Sequence, residues 1–234
     1  VDNSIDGLDL TVYWFPNTSE SFLMPLRRMA YINGVEIYSI SVRTDFCNAD
    51  AAKRRDQVRE LMGWIDVASQ LGAGHIRVFG GHAPKGYTEA DAINWCVDSL
   101  IRASDYAGKR GVILGLENHG GITDHASKII DVVNRVNSDY VGINLDTGNF
   151  SENAIPQIEK CLPYAVASQF KTMIAGAKPK EEVKADWNQL TAMFARSGYK
   201  GYLALEYEAP EPTATAMPRL LAELRGLCQK YSSK

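Results

Sequence analysis

The chain has 234 residues, 45% of them hydrophobic, with 25 basic against 28 acidic side chains and a formal net charge of −3. That is enough apolar material for one α/β domain spanning 1–234, and the slight acidity, with no basic stripe, argues against a nucleic-acid surface. No apolar run reaches membrane-spanning length, and four scattered cysteines, Cys47, Cys96, Cys161 and Cys228, with no Cys-x-x-Cys pair, suit buried thiols in a reducing, cytoplasmic compartment. The chain starts at Val1 rather than Met, a start compatible with removal of an upstream signal segment.

In chain order, Leu8–Trp14 reads as a strand stopped by Phe15-Pro16-Asn17. Ser19–Asn33 reads as a helix with Gly34 as its stop. Val35–Arg43 is a second strand. Asp50–Leu71 is an amphipathic helix with Val58, Leu61, Met62, Ile65 and Ala68 on one face, ended by Gly72. His75–Gly81 is a strand and Thr88–Arg110 a helix, with Thr88 and Asp91 placed as a capping box. Strand 111–119 precedes a helix over Thr123–Asn137. Strand Tyr140–Asp146 precedes a helix over Glu152–Cys161 that Pro156 is expected to interrupt. Strand Tyr164–Thr172, a helix over 182–197 with an acid-rich start at Glu181-Glu182, strand Gly201–Glu208 and a helix over about 214–230 close the chain.

This strict alternation predicts a parallel sheet covered by helices. Seven strands and seven helices fall one unit short of a (β/α)8 TIM barrel. The shortfall is expected at the N-terminus, with Val1–Gly7 as the tail of a missing βα unit. A doubly wound open sheet would carry a glycine-rich turn after its first strand, and none is present.

Gly111-Val-Ile-Leu-Gly-Leu-Glu-Asn-His-Gly-Gly121 runs as a buried strand into a carboxylate, an amide and an imidazole. The same design recurs where Asp146 ends its strand and where Glu206 lies late in 201–208. Strand alternation puts Ile113, Gly115, Glu117 and His119 on one face, and Gly142, Asn144 and Asp146 on another inward face. Three inward carboxylates at one rim repel unless bases or a divalent cation offset them, which points to a metal site. A fourth ligand is expected from the intervening strand, where Gln169 offers an amide oxygen and Lys171 a cation for an anionic substrate oxygen. His119 is placed to bind or protonate a substrate hydroxyl. His82 follows Gly80-Gly81 at a strand exit and is a candidate pocket residue. Arg77 faces inward and suits an acid inside the barrel. Tyr13 and Trp14 suit either the wall of a sugar pocket or core packing. Gly80-Gly81 and Gly120-Gly121 are too short for phosphate loops.

Leu116-Glu-Asn-His-Gly-Gly121, Leu145-Asp-Thr-Gly-Asn149, Gln169-Phe-Lys171 and Gly201-Tyr-Leu-Ala-Leu-Glu-Tyr-Glu208 resemble the sugar phosphate isomerase/epimerase family of xylose isomerase-like TIM barrels. The resemblance runs from about Leu8 onward and starts at the family's second strand. It implies one divalent metal held by Glu117, Asp146, Gln169 and Glu206. Many relatives carry histidine where this chain has Gln169, and the hydroxypyruvate isomerase branch is similar in using glutamine. Ketose 3-epimerases carry histidine three residues after the metal aspartate. Here that position is Asn149, a candidate substrate contact that sets the chain apart from them. The histidine-rich three-zinc site of endonuclease IV has no counterpart.

Such a site of hard oxygen donors favours Mn²⁺ or Mg²⁺ over Zn²⁺. It implies a sugar isomerase or epimerase that moves a proton next to a carbonyl through an enediolate. Glu117 and Glu206 are then the catalytic acid and base, and His119, Lys171, Asn149, Tyr13 and His82 hold a sugar or keto-sugar. The alternatives are a metal-dependent lyase or dehydratase on a keto-sugar and a truncated, non-catalytic carbohydrate-binding barrel. Two unpaired strand edges would also suit a homo-oligomer.

Overall fold

Glycine and short polar side chains set the helix ends, and these ends time the passage from helix to strand. In the computed structural model, which describes residues 3–178 and 180–232, α1 (Glu20–Ile32) follows Ser19. Helix α2 (Ala51–Leu71) is capped by Asp50, whose carboxylate accepts from the Ala52 amide, and ends on left-handed Gly72. Helix α3 (Glu89–Arg110) opens with the reciprocal Thr88–Asp91 capping box and ends on left-handed Gly111. Helices α4 (Ala126–Val136) and α6 (Trp187–Ser197) are capped by His125 and Asp186, α5 is Ala154–Cys161, and α7 is Thr213–Ser232. Pro156 does not interrupt α5. It is the third helical residue, in the first turn, where its missing N–H has no intrahelical partner to lose.

The strands are β1 (Gly7–Thr11), β2 (Glu36–Ser41), β3 (His75–Val78), β4 (Ile113–Glu117), β5 (Val141–Asp146), β6 (Ala165–Phe170) and β9 (Leu203–Leu205). They form one parallel seven-stranded sheet in the order β1-β2-β3-β4-β5-β6-β9, the connectivity of a nearly closed α/β barrel. Between β1 and β9 lies a cavity of about 420 Å³, lined among others by Leu8, Tyr38, Tyr202, Leu203, Leu221 and Leu224. Tyr38 and Tyr202 stack across this seam with ring centroids 4.3 Å apart.

Two expectations need correction. Tyr13 and Trp14 are not in the first strand, because the chain leaves β1 at Thr11 into a 3-10 turn over Val12–Trp14, closed by the Phe15 amide on the Val12 carbonyl. Residues Glu182–Lys184 are not helical but form β8, antiparallel to β7 (Met173–Ala175). Helix α6 starts later because Asp186, not the glutamate pair, accepts the capping bond from the Gln189 amide.

Side-chain alternation divides the sheet. Ile40, Ile76, Val78, Leu114, Leu116, Ile143, Leu145 and Phe170 are buried in the layer between strands and helices. The opposite parity carries Ser39, Ser41, His75, Arg77, Glu117, Asn144, Asp146 and Gln169, so the barrel interior is polar. Among the described residues no helix is long and apolar enough to cross a membrane.

Candidate active site at the C-terminal strand ends

Parallel register sets the site. Glu117 lies beside Asn144 across β4 and β5, and Asp146 beside Gln169 across β5 and β6. Glu206 follows β9, with its amide donating to the Phe170 carbonyl at 3.0 Å. Each acid therefore sits where its strand leaves the sheet, at the face where barrels of this kind carry their chemistry.

Glu117 is 1% exposed and fully partnered. Arg77 Nη1 donates to its Oε2 at 3.0 Å, and Asn149 Nδ2 to its Oε1 at 2.9 Å. His119 Nδ1 lies 2.8 Å from the same Oε1 and 3.2 Å from Asn149 Nδ2. The His119 ring stacks on Phe79 at 4.1 Å, and the Arg77 guanidinium lies over the Phe79 ring, 4.3 Å from its centroid. Tyr13 joins through its hydroxyl, which accepts from Arg77 Nη2 at 3.3 Å.

Asp146 is 0% exposed, and its carboxyl is pushed well above the usual carboxylate range. Burial is the main cause, and the charges of Glu117 and Glu206, with the approach of the Glu206 carboxyl to that of Asp146, add to it against the lowering effect of Lys171. Its Oδ1 accepts from the Gly148 amide at 2.7 Å, whereas Oδ2 has no hydrogen-bond partner. Glu206 Oε2 is likewise buried without a partner. Gln169 Oε1 accepts from Asn144 Nδ2 at 2.7 Å.

Lys171 occupies the centre of this group. Its Nζ lies 3.4 Å from Asp146 Oδ2, 3.4 Å from Glu206 Oε2, 2.6 Å from Glu208 Oε2 and 3.1 Å from Asn149 Oδ1. Burial pulls its pKa down, but Asp146, Glu208 and Glu206 more than offset this, so the ammonium is held charged.

Two buried carboxylate oxygens without hydrogen-bond partners, each 3.4 Å from the Lys171 ammonium, fit a cation. Glu117 and Gln169, the other two expected ligands, have their oxygens engaged by Arg77, His119, Asn149 and Asn144. Accordingly, no three His, Cys, Asp or Glu side chains converge on one ion among the described residues.

The structure brings Glu117, Asp146, Gln169, Glu206, His119, Lys171, Asn149 and Tyr13 to one mouth. His82 lies against Gly121, and among the described residues no hydrogen bond or ion pair joins it to the carboxylates. The paired glycines serve packing. A Cβ on Gly121 would sit 2.2 Å from the Gly81 carbonyl, and the Ile122 amide donates to that oxygen at 3.1 Å.

Asn118, the amide of the strand-end motif, has no role assigned by the sequence, and the structure supplies one. It is fully buried, donates from Nδ2 to the Asp146 carbonyl at 2.8 Å and accepts from the Asp146 amide at 2.9 Å. Its side chain thus extends the β4–β5 ladder by one link and fixes the backbone that carries Asp146. A polar residue at helix-facing parity after an apolar strand was its only signal.

A sequence profile of the xylose isomerase-like TIM barrel family matches residues 6–227. Among solved structures, the chain resembles a xylose isomerase domain protein from Planctomyces limnophilus at 18% identity and TM-score 0.78, covering 100% of this chain and 92% of that one. It resembles D-psicose 3-epimerase with D-tagatose from Clostridium cellulolyticum H10 at 16% identity and TM-score 0.76, covering 98% and 89%. A xylose isomerase-like TIM barrel protein from Mycobacterium smegmatis, in complex with magnesium, is similar at 18% identity and TM-score 0.77, covering 99% and 85%. No curated protein matches the chain. At these identities the structural likeness establishes the fold.

Proposed function

The chain belongs to the xylose isomerase-like TIM barrel family, and from that premise we propose that it is a divalent-metal-dependent sugar isomerase or epimerase. The observation that carries this reading is the pair of buried oxygens without hydrogen-bond partners, Asp146 Oδ2 and Glu206 Oε2, that both face the Lys171 ammonium at 3.4 Å at the strand ends. A neighbour that holds magnesium and another that holds D-tagatose lend support.

Asp146 and Glu206 would hold the ion first, with Glu117 and Gln169 completing an oxygen set that favours Mn²⁺ or Mg²⁺. When bound, the ion polarises a substrate carbonyl and so makes the neighbouring C–H more acidic. Glu206 takes that proton from one side. Glu117, oriented by Arg77, exchanges a proton from the other side, and the choice of carbon on return separates isomerisation from epimerisation. His119, braced on Phe79, and Asn149 and Lys171 hold substrate hydroxyls, while Tyr13 walls the mouth.

The test is incubation with Mn²⁺ and a panel of ketoses and keto-sugars in D₂O, followed by NMR. Deuterium should enter next to the carbonyl, and Glu206→Gln should abolish entry while keeping the wild-type melting transition. A product that has lost water or been cleaved would replace this reading with the dehydratase or lyase alternative.

A further inference from the structure

We propose that Lys171 is a built-in counter-cation that competes with the divalent ion for Asp146 and Glu206 and withdraws onto Glu208 and Asn149 when the ion enters. This rests on the metal-dependent reading above and adds to it a residue that sets the cation affinity.

Distances divide the partners of the lysine into two classes. Glu208 at 2.6 Å and Asn149 at 3.1 Å are within hydrogen-bond length. Asp146 and Glu206, both at 3.4 Å, lie beyond it, and the oxygens concerned are the two without donors. The ammonium thus compensates the inner pair by charge alone while its direct bonds point to the rim. Moving outward would lose the two weak contacts and keep the two strong ones. Glu208 is suited to receive it, with a side chain 64% exposed against 14% for the lysine.

The rest of Lys171 is built to let only its tip move. Its amide donates to Thr147 Oγ1 at 3.1 Å, and its carbonyl accepts from Trp187 Nε1 at 2.8 Å, so the backbone is fixed. The stem lies over Gly148, where a Cβ would come within 2.6 Å of Lys171 Cδ. Glycine there keeps the path of the stem clear. Arg77 contrasts with it, since its guanidinium hydrogen-bonds Glu117 directly at 3.0 Å and its contact toward the mouth is the Tyr13 hydroxyl at 3.3 Å, not a carboxylate.

Charge supports two states. Four carboxyl groups, Glu117, Asp146, Glu206 and Glu208, gather round Arg77 and Lys171, with His119 against Glu117, so carboxyl groups outnumber the lysine and arginine at this mouth. An ion and an outward lysine can therefore coexist.

The experiment is calorimetric titration of Mn²⁺ into the full chain, alongside thermal melts of metal-free and loaded protein. Lys171→Met should bind Mn²⁺ at least about tenfold more tightly than wild type, since removing an ammonium from two carboxylates favours the competing cation. Its metal-free form should melt lower. Glu208→Gln removes the outer berth and should weaken Mn²⁺ binding, and this effect should vanish in the double variant, because Glu208 acts through the lysine. Unchanged or weaker binding by Lys171→Met, or a Glu208→Gln effect that persists in the double variant, would overturn the proposal and leave the metal reading standing. Binding by Lys171→Met but not wild type would support the proposal in its strong form. No binding by any form would overturn both.

Discussion

His75 should make the protein acid-sensitive, and replacing it should remove that sensitivity. The imidazole sits inside the barrel at 6% exposure, with Nδ1 2.8 Å from Ser39 Oγ and Nε2 without a partner. Burial, and then the charge of Arg77, depress its pKa from 6.5 to about 3. Asp9 on β1, Glu117 on β4 and Asp146 on β5 are acids of the same interior, and among the described residues none forms an ion pair with it. Because the folded pKa lies below the unfolded one, the unfolded chain binds a proton that the native chain refuses as pH falls below 6.5. Stability is therefore fully present above that pH and declines toward pH 3. The loss from this one group is about 2 kcal/mol at pH 5 and about 3 kcal/mol at pH 4.

Urea unfolding of wild type and His75→Gln at pH 7.5, 5 and 4 measures it. The variant costs some stability at pH 7.5 through its altered fit to Ser39. Its further loss between pH 7.5 and 5 should then be smaller than that of wild type by about 2 kcal/mol. Other titrating groups are common to both proteins and cancel in the comparison. Parallel stability–pH curves would refute the reasoning and place a proton on the buried ring in the native state.

Three more predictions concern the scaffold under the site. Arg77→Met strips buried Glu117 of its guanidinium partner, leaving His119 and Asn149 on its other oxygen, and should cost about 3 kcal/mol in denaturant melts, with Glu117→Gln in the same chain recovering part of the loss. Asn118→Ala removes both links to the Asp146 backbone and should cost about 2 kcal/mol in the same assay. The proposed Mn²⁺ affinity should drop with it, and an unchanged affinity would separate Asn118 from the positioning of Asp146. Gly115→Ala places a Cβ 2.1 Å from His75 Nε2 and 3.0 Å from Asn144 Cβ, both inside the barrel, and should cost about 1–3 kcal/mol by overpacking. A variant as stable as wild type would show that the interior has slack at that layer.

Periodicity and caps carried most of the fold. The alternation of Leu114 and Leu116 with Gly115 and Glu117 distinguishes the helix-facing from the interior side of β4 without reference to any other strand. The Thr88–Asp91 box and the glycines at 72 and 111 mark helix ends by backbone chemistry that is local to a few residues. Local signals failed where competing local signals existed. Glu181-Glu182 reads as a helix start, yet the pairing of Val183 with Ile174 puts it in a hairpin, and pairing across ten residues leaves no mark in a helical period.

By itself, the amino-acid sequence determined the alternating α/β order, the polar parity of the barrel interior and the placement of Glu117, Asp146 and Glu206 at strand ends. Each follows from near-neighbour geometry. Only the tertiary structure decided which charges meet. Arg77 engages Glu117, and Lys171 stands between Asp146, Glu206 and Glu208, while Asn118 locks the strand beside its own. Those partners come from different strands, brought together by sheet register and barrel curvature. A side chain's electrostatic partner depends on distances across the barrel, which no spacing along the chain encodes.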